Sequence, residues 1–134
     1  MKEILVKTTK DFEVIDITEL VNDAVRKECK EKKISEGIAL VFAPHATCAL
    51  SICESADPGM IRDFEKKLKE LFPKGAGYEH DRIDNNAHAH LVNSFIKPSL
   101  VLPVKEGGLL LGTWQAVVLI EADGPRNRKI IVEL

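Results

Sequence analysis

The 134-residue sequence predicts an α+β domain, a mixed, mostly antiparallel, sandwich-like sheet with about three helices packed on it. Three observations carry that expectation. Strand-type runs outnumber helical ones. They do not alternate with helices in the βαβ order that a parallel sheet needs. The last third of the chain, from Leu100 onward, is almost entirely strand-type. At 45% hydrophobic and 30% charged, the chain can fill one compact core and has no length for a second, so residues 1–134 read as a single domain.

The elements follow in order. Residues 3–8 and 12–17 alternate apolar and polar side chains around Lys10-Asp11, the pattern of two half-buried strands joined as a hairpin. Thr18 is placed to cap a helix whose Leu20, Val21, Ala24, Val25 and Cys29 recur at helical spacing, and which ends in a lysine-rich turn near Lys33. Residues 37–43 are a continuous apolar run of strand length, and residues 49–53 form a second short strand after Pro44-His45-Ala46-Thr47. Asp57-Pro58 supplies an N-cap and first-turn proline for a helix striped by Ile61, Phe64, Leu68 and Leu71 and stopped by Pro73. Residues 74–86 have two glycines, several acids and no periodicity, and read as a loop. A short helix is expected over 87–96, then strands over 100–104, 109–111, 114–121 and 129–134, separated by Gly107-Gly108 and Asp123-Gly124-Pro125.

Charge and composition exclude several function classes. Nineteen basic against 21 acidic residues give a net charge of −2, without the positive field on which most nucleic-acid binders depend. No apolar run approaches the ~20 residues of a membrane span, and the first residues lack a signal-peptide core, so a cytoplasmic protein contacting neither nucleic acid nor membrane is expected. Cys29, Cys48 and Cys53 are odd in number and lack CxxC spacing; they read as small buried hydrophobes. No serine stands in a GxSxG elbow. Covalent catalysis is therefore disfavoured.

The histidines are the chemical lead. His45 follows a buried-type strand, while His80, His88 and His90 crowd one loop and the helix start after it. Neutral imidazole suits zinc and similar divalent ions, and three protein ligands with a vacant position describe a catalytic metal site. Glu54, Glu79, Asp81 and Asp84 could orient such imidazoles or act as a general base. Trp114, between Thr113 and Gln115, reads either as a core anchor or as a pocket wall whose polar neighbours bind ligand. Arg126 and Arg128 on the turn before the last strand are either ordinary solvated arginines or forks for phosphate oxygens.

The run from Ser99 through Leu102, Gly107, Gly112-Thr113-Trp114-Gln115 and Val117 resembles the signature of the YjbQ-like family, now called secondary thiamine-phosphate synthase. Other blocks that resemble the family are His45-x-Thr47, Glu54 with Asp57-Pro58, Tyr78-x-His80, Asn86-x-x-x-His90 and Gly124-Pro125-Arg126. The resemblance implies the YjbQ-like α+β fold, a homotrimer, and a metal site at His45, His80 and His90, with His88 a neighbour where relatives usually carry another residue. It further implies the joining of a hydroxymethylpyrimidine diphosphate to a thiazole phosphate with loss of pyrophosphate, and hence a small phosphorylated metabolite as partner. In that picture Glu54 and Asp81 are catalytic, and Thr47, Asn86, Thr113, Trp114, Gln115, Arg126 and Arg128 bind substrate. A histidine set favours a zinc-like ion, with magnesium or manganese as the alternatives that diphosphate chemistry commonly uses. The chain departs from its relatives at Cys53 and Ser55, where they usually carry asparagines, and in the length of the 81–86 loop. Two other readings are a metal-assisted phosphoester or other hydrolase and a non-catalytic metal- or metabolite-binding trimer.

Overall fold

The structure, a computed structural model, describes all of residues 1–134. Its eight strands are β1 (Lys2–Lys7), β2 (Glu13–Asp16), β3 (Gly37–Phe42), β4 (Cys48–Cys53), β5 (Ser99–Lys105), β6 (Gly108–Leu109), β7 (Ala116–Glu121) and β8 (Asn127–Glu133). Three helices accompany them: α1 (Thr18–Lys32), α2 (Pro58–Leu71) and α3 (Ala87–Ile96). The strands form two sheets, one of five in the order β1-β8-β3-β5-β6 and one of three in the order β2-β7-β4. Every pairing is antiparallel.

The two N-terminal strands are not a hairpin. β1 pairs with β8, from Lys2↔Val132 to Lys7↔Asn127, whereas β2 pairs with β7, from Glu13↔Glu121 to Asp16↔Val118. Residues 8–12 thus cross from the large sheet to the small one, and residues 122–126 cross back beside them. Thr8 N donates to Arg126 O at 2.9 Å and Gly124 N donates to Asp11 O at 3.0 Å across these crossings. Alternation defines two half-buried strands but not their partners, and a polar Lys10-Asp11 junction suits a sheet crossing as well as a tight turn.

The small sheet is the middle layer. β7 is buried along its whole length. One face of the sheet, with Leu50, Val117 and Leu119, shares a core with Val21, Val25 and Cys29 of α1 and with Val41, Leu102, Ile130 and Val132 of the large sheet. The other, with Ala49, Val118 and Ile120, packs on Leu68 of α2 and Ala89 and Val92 of α3. A strand covered on both sides has no polar face, which is why β7 reads as an unbroken apolar run.

Local caps refine the expected boundaries. The Asp57 side chain accepts from Gly59 N at 2.8 Å with Pro58 in the first turn, as the sequence indicates. Leu71 is exposed, however, and Phe72 takes over the apolar packing at that end of α2. Thr18 does not cap α1. Asp16 Oδ1 accepts from Thr18 N at 2.8 Å, and the Thr18 hydroxyl instead accepts from Val117 N at 2.9 Å, tying the helix start to β7. α3 occupies the expected 87–96.

The outer face of the large sheet is covered by nothing in the chain. Leu5, Ile38, Leu40 and Val101 are exposed there, with Leu40 directly opposite Val101 and half-buried Phe42 opposite Ile131. No helix is long and apolar enough to cross a membrane.

Candidate functional site

The polar centre of the molecule is the corner where β7 hands over to β8. Arg128 is not a turn arginine. It is the second residue of β8, is 3% exposed, and points inward because it falls on the core-facing parity of the strand, two residues before Ile130. Its Nε donates to Glu121 Oε2 at 2.7 Å and its Nη2 to Glu121 Oε1 at 2.5 Å, a two-pronged pair with a carboxylate that is itself fully buried. Nη2 also donates to Thr47 Oγ1 at 3.0 Å. Glu121 accepts further from Thr8 Oγ1 at 3.0 Å and Asp123 N at 2.9 Å. The guanidinium is thus committed through Nε and Nη2 inside the fold, and the expected solvent-facing phosphate fork reduces to Arg126. That side chain is exposed, held by Asp123 Oδ2 at 2.8 Å, and borders a cleft with Lys7, Thr8 and Asn127.

His45 hangs beside this corner. Its Nε2 accepts from Lys129 N at 2.9 Å, which places the proton of the neutral ring on Nδ1. Its own carbonyl accepts from Asn93 Nδ2 at 2.9 Å, linking the β3–β4 loop to α3. Burial, followed by the positive charge of Arg128, holds the imidazole below its usual 6.5. A depressed folded value contributes stability that is present above 6.5 and is lost as pH falls through the folded value. The metal-free protein should therefore lose stability as pH drops below about 6.5, and His45→Asn should flatten that part of the curve in urea titrations. An unchanged slope would remove His45 as its source.

His80 and His90 meet. The short 3₁₀ turn Glu79–Arg82 carries the first and α3 the second, and their rings lie edge to face with centroids 4.8 Å apart. The turn is locked to the helix because Asp81 Oδ1 accepts from Ala87 N at 3.0 Å, satisfying a free amide of the first helical turn. The pair opens onto a cleft of about 440 Å³ that also touches Tyr78, Glu79, Leu91 and Ser94. Asn86 Nδ2 donates to Asp123 Oδ2 at 3.2 Å, joining this cleft to the Arg126 corner. Two buried oxygens here, Asp81 Oδ2 and Asn86 Oδ1, have no hydrogen-bond partner.

His88 is two residues from His90 and therefore on the opposite side of α3. It is buried, with Nε2 3.0 Å from Ala122 O. The sequence-level crowding of three histidines thus resolves into one pair and one ring facing elsewhere.

The remaining expected site residues are scattered. Glu54 follows β4 directly and is half-buried, and its carboxylate makes no hydrogen bond or ion pair. Thr113, Trp114 and Gln115 do not begin β7, which starts at Ala116; they form a turn in which Gln115 Oε1 accepts from Gly112 N at 2.8 Å. Trp114 is 66% exposed, so it is no core anchor. Burial pushes the Cys48 thiol up to about 11, and burial also raises Cys53, leaving neither as a ready thiolate. No three His, Cys, Asp or Glu side chains stand close enough within the one chain to enclose a metal ion. Sequence reasoning passed over Glu121, whose signal was an acid ending an otherwise apolar run, with an arginine seven residues further on.

A model of the UPF0047 protein YjbQ-like family matches residues 2–134. The chain belongs to that family. A UPF0047 protein of Archaeoglobus fulgidus is 44% identical over 131 residues, 98% of each chain. The UPF0047 protein YugU of Bacillus subtilis is 35% identical over 137 residues, covering 100% of this chain and 98% of YugU. Among solved structures, a protein of unknown function from Sulfolobus solfataricus superposes with a TM-score of 0.90 at 41% identity, covering 98% of this chain and 92% of its own. An uncharacterized protein from Clostridium acetobutylicum gives 0.89 at 41% identity, with 99% and 98% covered. The two-sheet arrangement described above is therefore that of the YjbQ-like family.

Proposed function

We propose that this YjbQ-like protein is a metal-dependent enzyme of the secondary thiamine-phosphate synthase type, built as a homotrimer and acting on small phosphorylated metabolites. The observation that carries the reading is the His80–His90 pair at the mouth of an open cleft. Two adjacent imidazoles fit a zinc-like ion, and the unpartnered Asp81 Oδ2 lies on the turn that carries His80. His45 is the third proposed donor, supplied by a neighbouring copy since no third ligand stands within reach in the one chain, and joins only by releasing Lys129 N. A bound divalent ion would supply Lewis acidity toward phosphate oxygens.

The chain's own residues define the rest. Asp81 fixes the His80 turn against α3, Asn86 ties the start of α3 to Asp123, Arg126 and Lys7 offer positive charge to a phosphate, and exposed Trp114 with Thr113 and Gln115 presents a ring and polar groups to substrate. Glu54 is the unengaged carboxylate available as a base. The trimer is supported by the uncovered face of the large sheet, where Ile38, Leu40 and Val101 of β3 and β5 stand exposed beside half-buried Phe42 and Ile131.

Incubating the zinc-loaded protein with hydroxymethylpyrimidine diphosphate and thiazole phosphate should give slow thiamine-phosphate formation that His90→Ala reduces at least tenfold. No turnover, or turnover indifferent to both metal and His90, rejects the synthase reading. Zinc-dependent hydrolysis of a generic phosphoester without coupling would assign the site to a hydrolase instead.

A further inference from the structure

The other side of α3 carries a second, unassigned cleft of about 310 Å³, lined by Asp11, Phe12, Lys69, Phe72, Lys74 and His88. It lies where the end of α2, the residues after it, the β1–β2 crossing and the start of α3 converge. That volume is at the lower end of sites for small metabolites.

Its chemistry is specific. Phe12 and Phe72 supply aromatic surface, Phe72 being steadied by Phe95 at a ring separation of 5.5 Å. Lys69 places its ammonium 5.1 Å from the centre of the Phe12 ring, so one cation is already seated against the aromatic wall. Lys74 adds a second, only loosely matched by Asp11 at 4.0 Å. His88 is the decisive group. It is 5% exposed, and because its Nε2 faces the Ala122 carbonyl, Nε2 carries the proton of the neutral ring and Nδ1 keeps a lone pair. That Nδ1 is buried and has no partner. An unsatisfied imidazole acceptor on a residue that lines a cleft costs free energy that a donor from a ligand would offset.

We propose that this cleft binds a small planar-ring anion bearing a hydroxyl or N–H donor: the ring between Phe12 and Phe72, the anionic group on Lys69 and Lys74, and the donor on His88 Nδ1. The site is separate from the His80–His90 cleft and needs no metal.

The probe is 4-hydroxybenzoate, followed by amide shifts in metal-free protein, with benzoate and 4-hydroxybenzyl alcohol alongside. Saturable shifts at Phe12, Lys69, Phe72, Lys74 and His88 are expected, with benzoate weaker for want of the donor and the alcohol weaker for want of the charge. Lys69→Gln/Lys74→Gln, both at exposed positions, should weaken 4-hydroxybenzoate at least tenfold. His88→Phe should erase its advantage over benzoate, and His80→Ala/His90→Ala should leave binding unchanged. Shifts centred on the His80–His90 or Arg126 clefts, or equal binding by the double lysine variant, would overturn the proposal without touching the metal-site reading. An undiminished preference for the hydroxyl compound in His88→Phe would overturn the assigned role of His88.

Discussion

Arg128→Leu should lower the unfolding free energy by about 3–5 kcal/mol, which for a domain of this size is a melting shift of about 10–20 °C. The substitution removes both prongs of the Arg128–Glu121 pair and leaves the Glu121 carboxylate at 0% exposure without its counter-charge. Thr8 Oγ1 and Asp123 N still donate to it, but they bring no net charge. Breaking one half of a buried pair costs more than the pair is worth, because the desolvated partner stays behind. Glu121→Leu/Arg128→Leu should therefore be more stable than Arg128→Leu alone in urea denaturation. A double variant no better than the single would show that the loss came from packing rather than from the stranded charge.

Gly124→Ala should be comparably severe, at about 3 kcal/mol or more. A Cβ at that position would lie 2.1 Å from Lys10 O, 2.8 Å from Glu121 Cγ and 3.1 Å from Glu121 Cδ. The first contact is with backbone, which cannot swing aside, and the other two are with the carboxylate arm that receives Arg128. Relief would have to separate the two inter-sheet crossings that Gly124 N and Asp11 O join. Thermal melts of Gly124→Ala beside Gly112→Ala make the comparison, since at Gly112 the added methyl meets only the Gln115 side chain at 3.3 Å. Equal, small losses at both positions would mean that the crossings are looser than this packing implies.

Much of the fold was legible because the signals were local. Asp57-Pro58 and Pro73 bracket α2, and the unbroken apolar run of β7 announces a strand with no wet face. What escaped was the pairing of remote segments. Nothing within residues 2–16 distinguishes a hairpin from two strands entering different sheets; β7 and β8, over a hundred residues later, decide it. The same kind of distance hid how Thr47 and Thr8 join Glu121 and Arg128 in one network, Thr47 reading as a substrate contact and Arg128 as a turn arginine. Trp114 was misplaced because a large aromatic beside an apolar run reads as its continuation, whereas the Gly112–Gln115 turn holds it outside. For the candidate site, the histidine count singled out the 80–90 segment, but only the helix geometry separates His90, which meets His80, from His88, which turns away.

Native mass spectrometry of untagged protein titrated with zinc tests the proposed metal at His80 and His90 and the proposed trimer together. A three-chain assembly carrying about one zinc per chain is expected, with uptake lost in His80→Ala and in His90→Ala but retained in His88→Phe. Zinc uptake that is the same in all four proteins, or absent from the unmodified one, would contradict it.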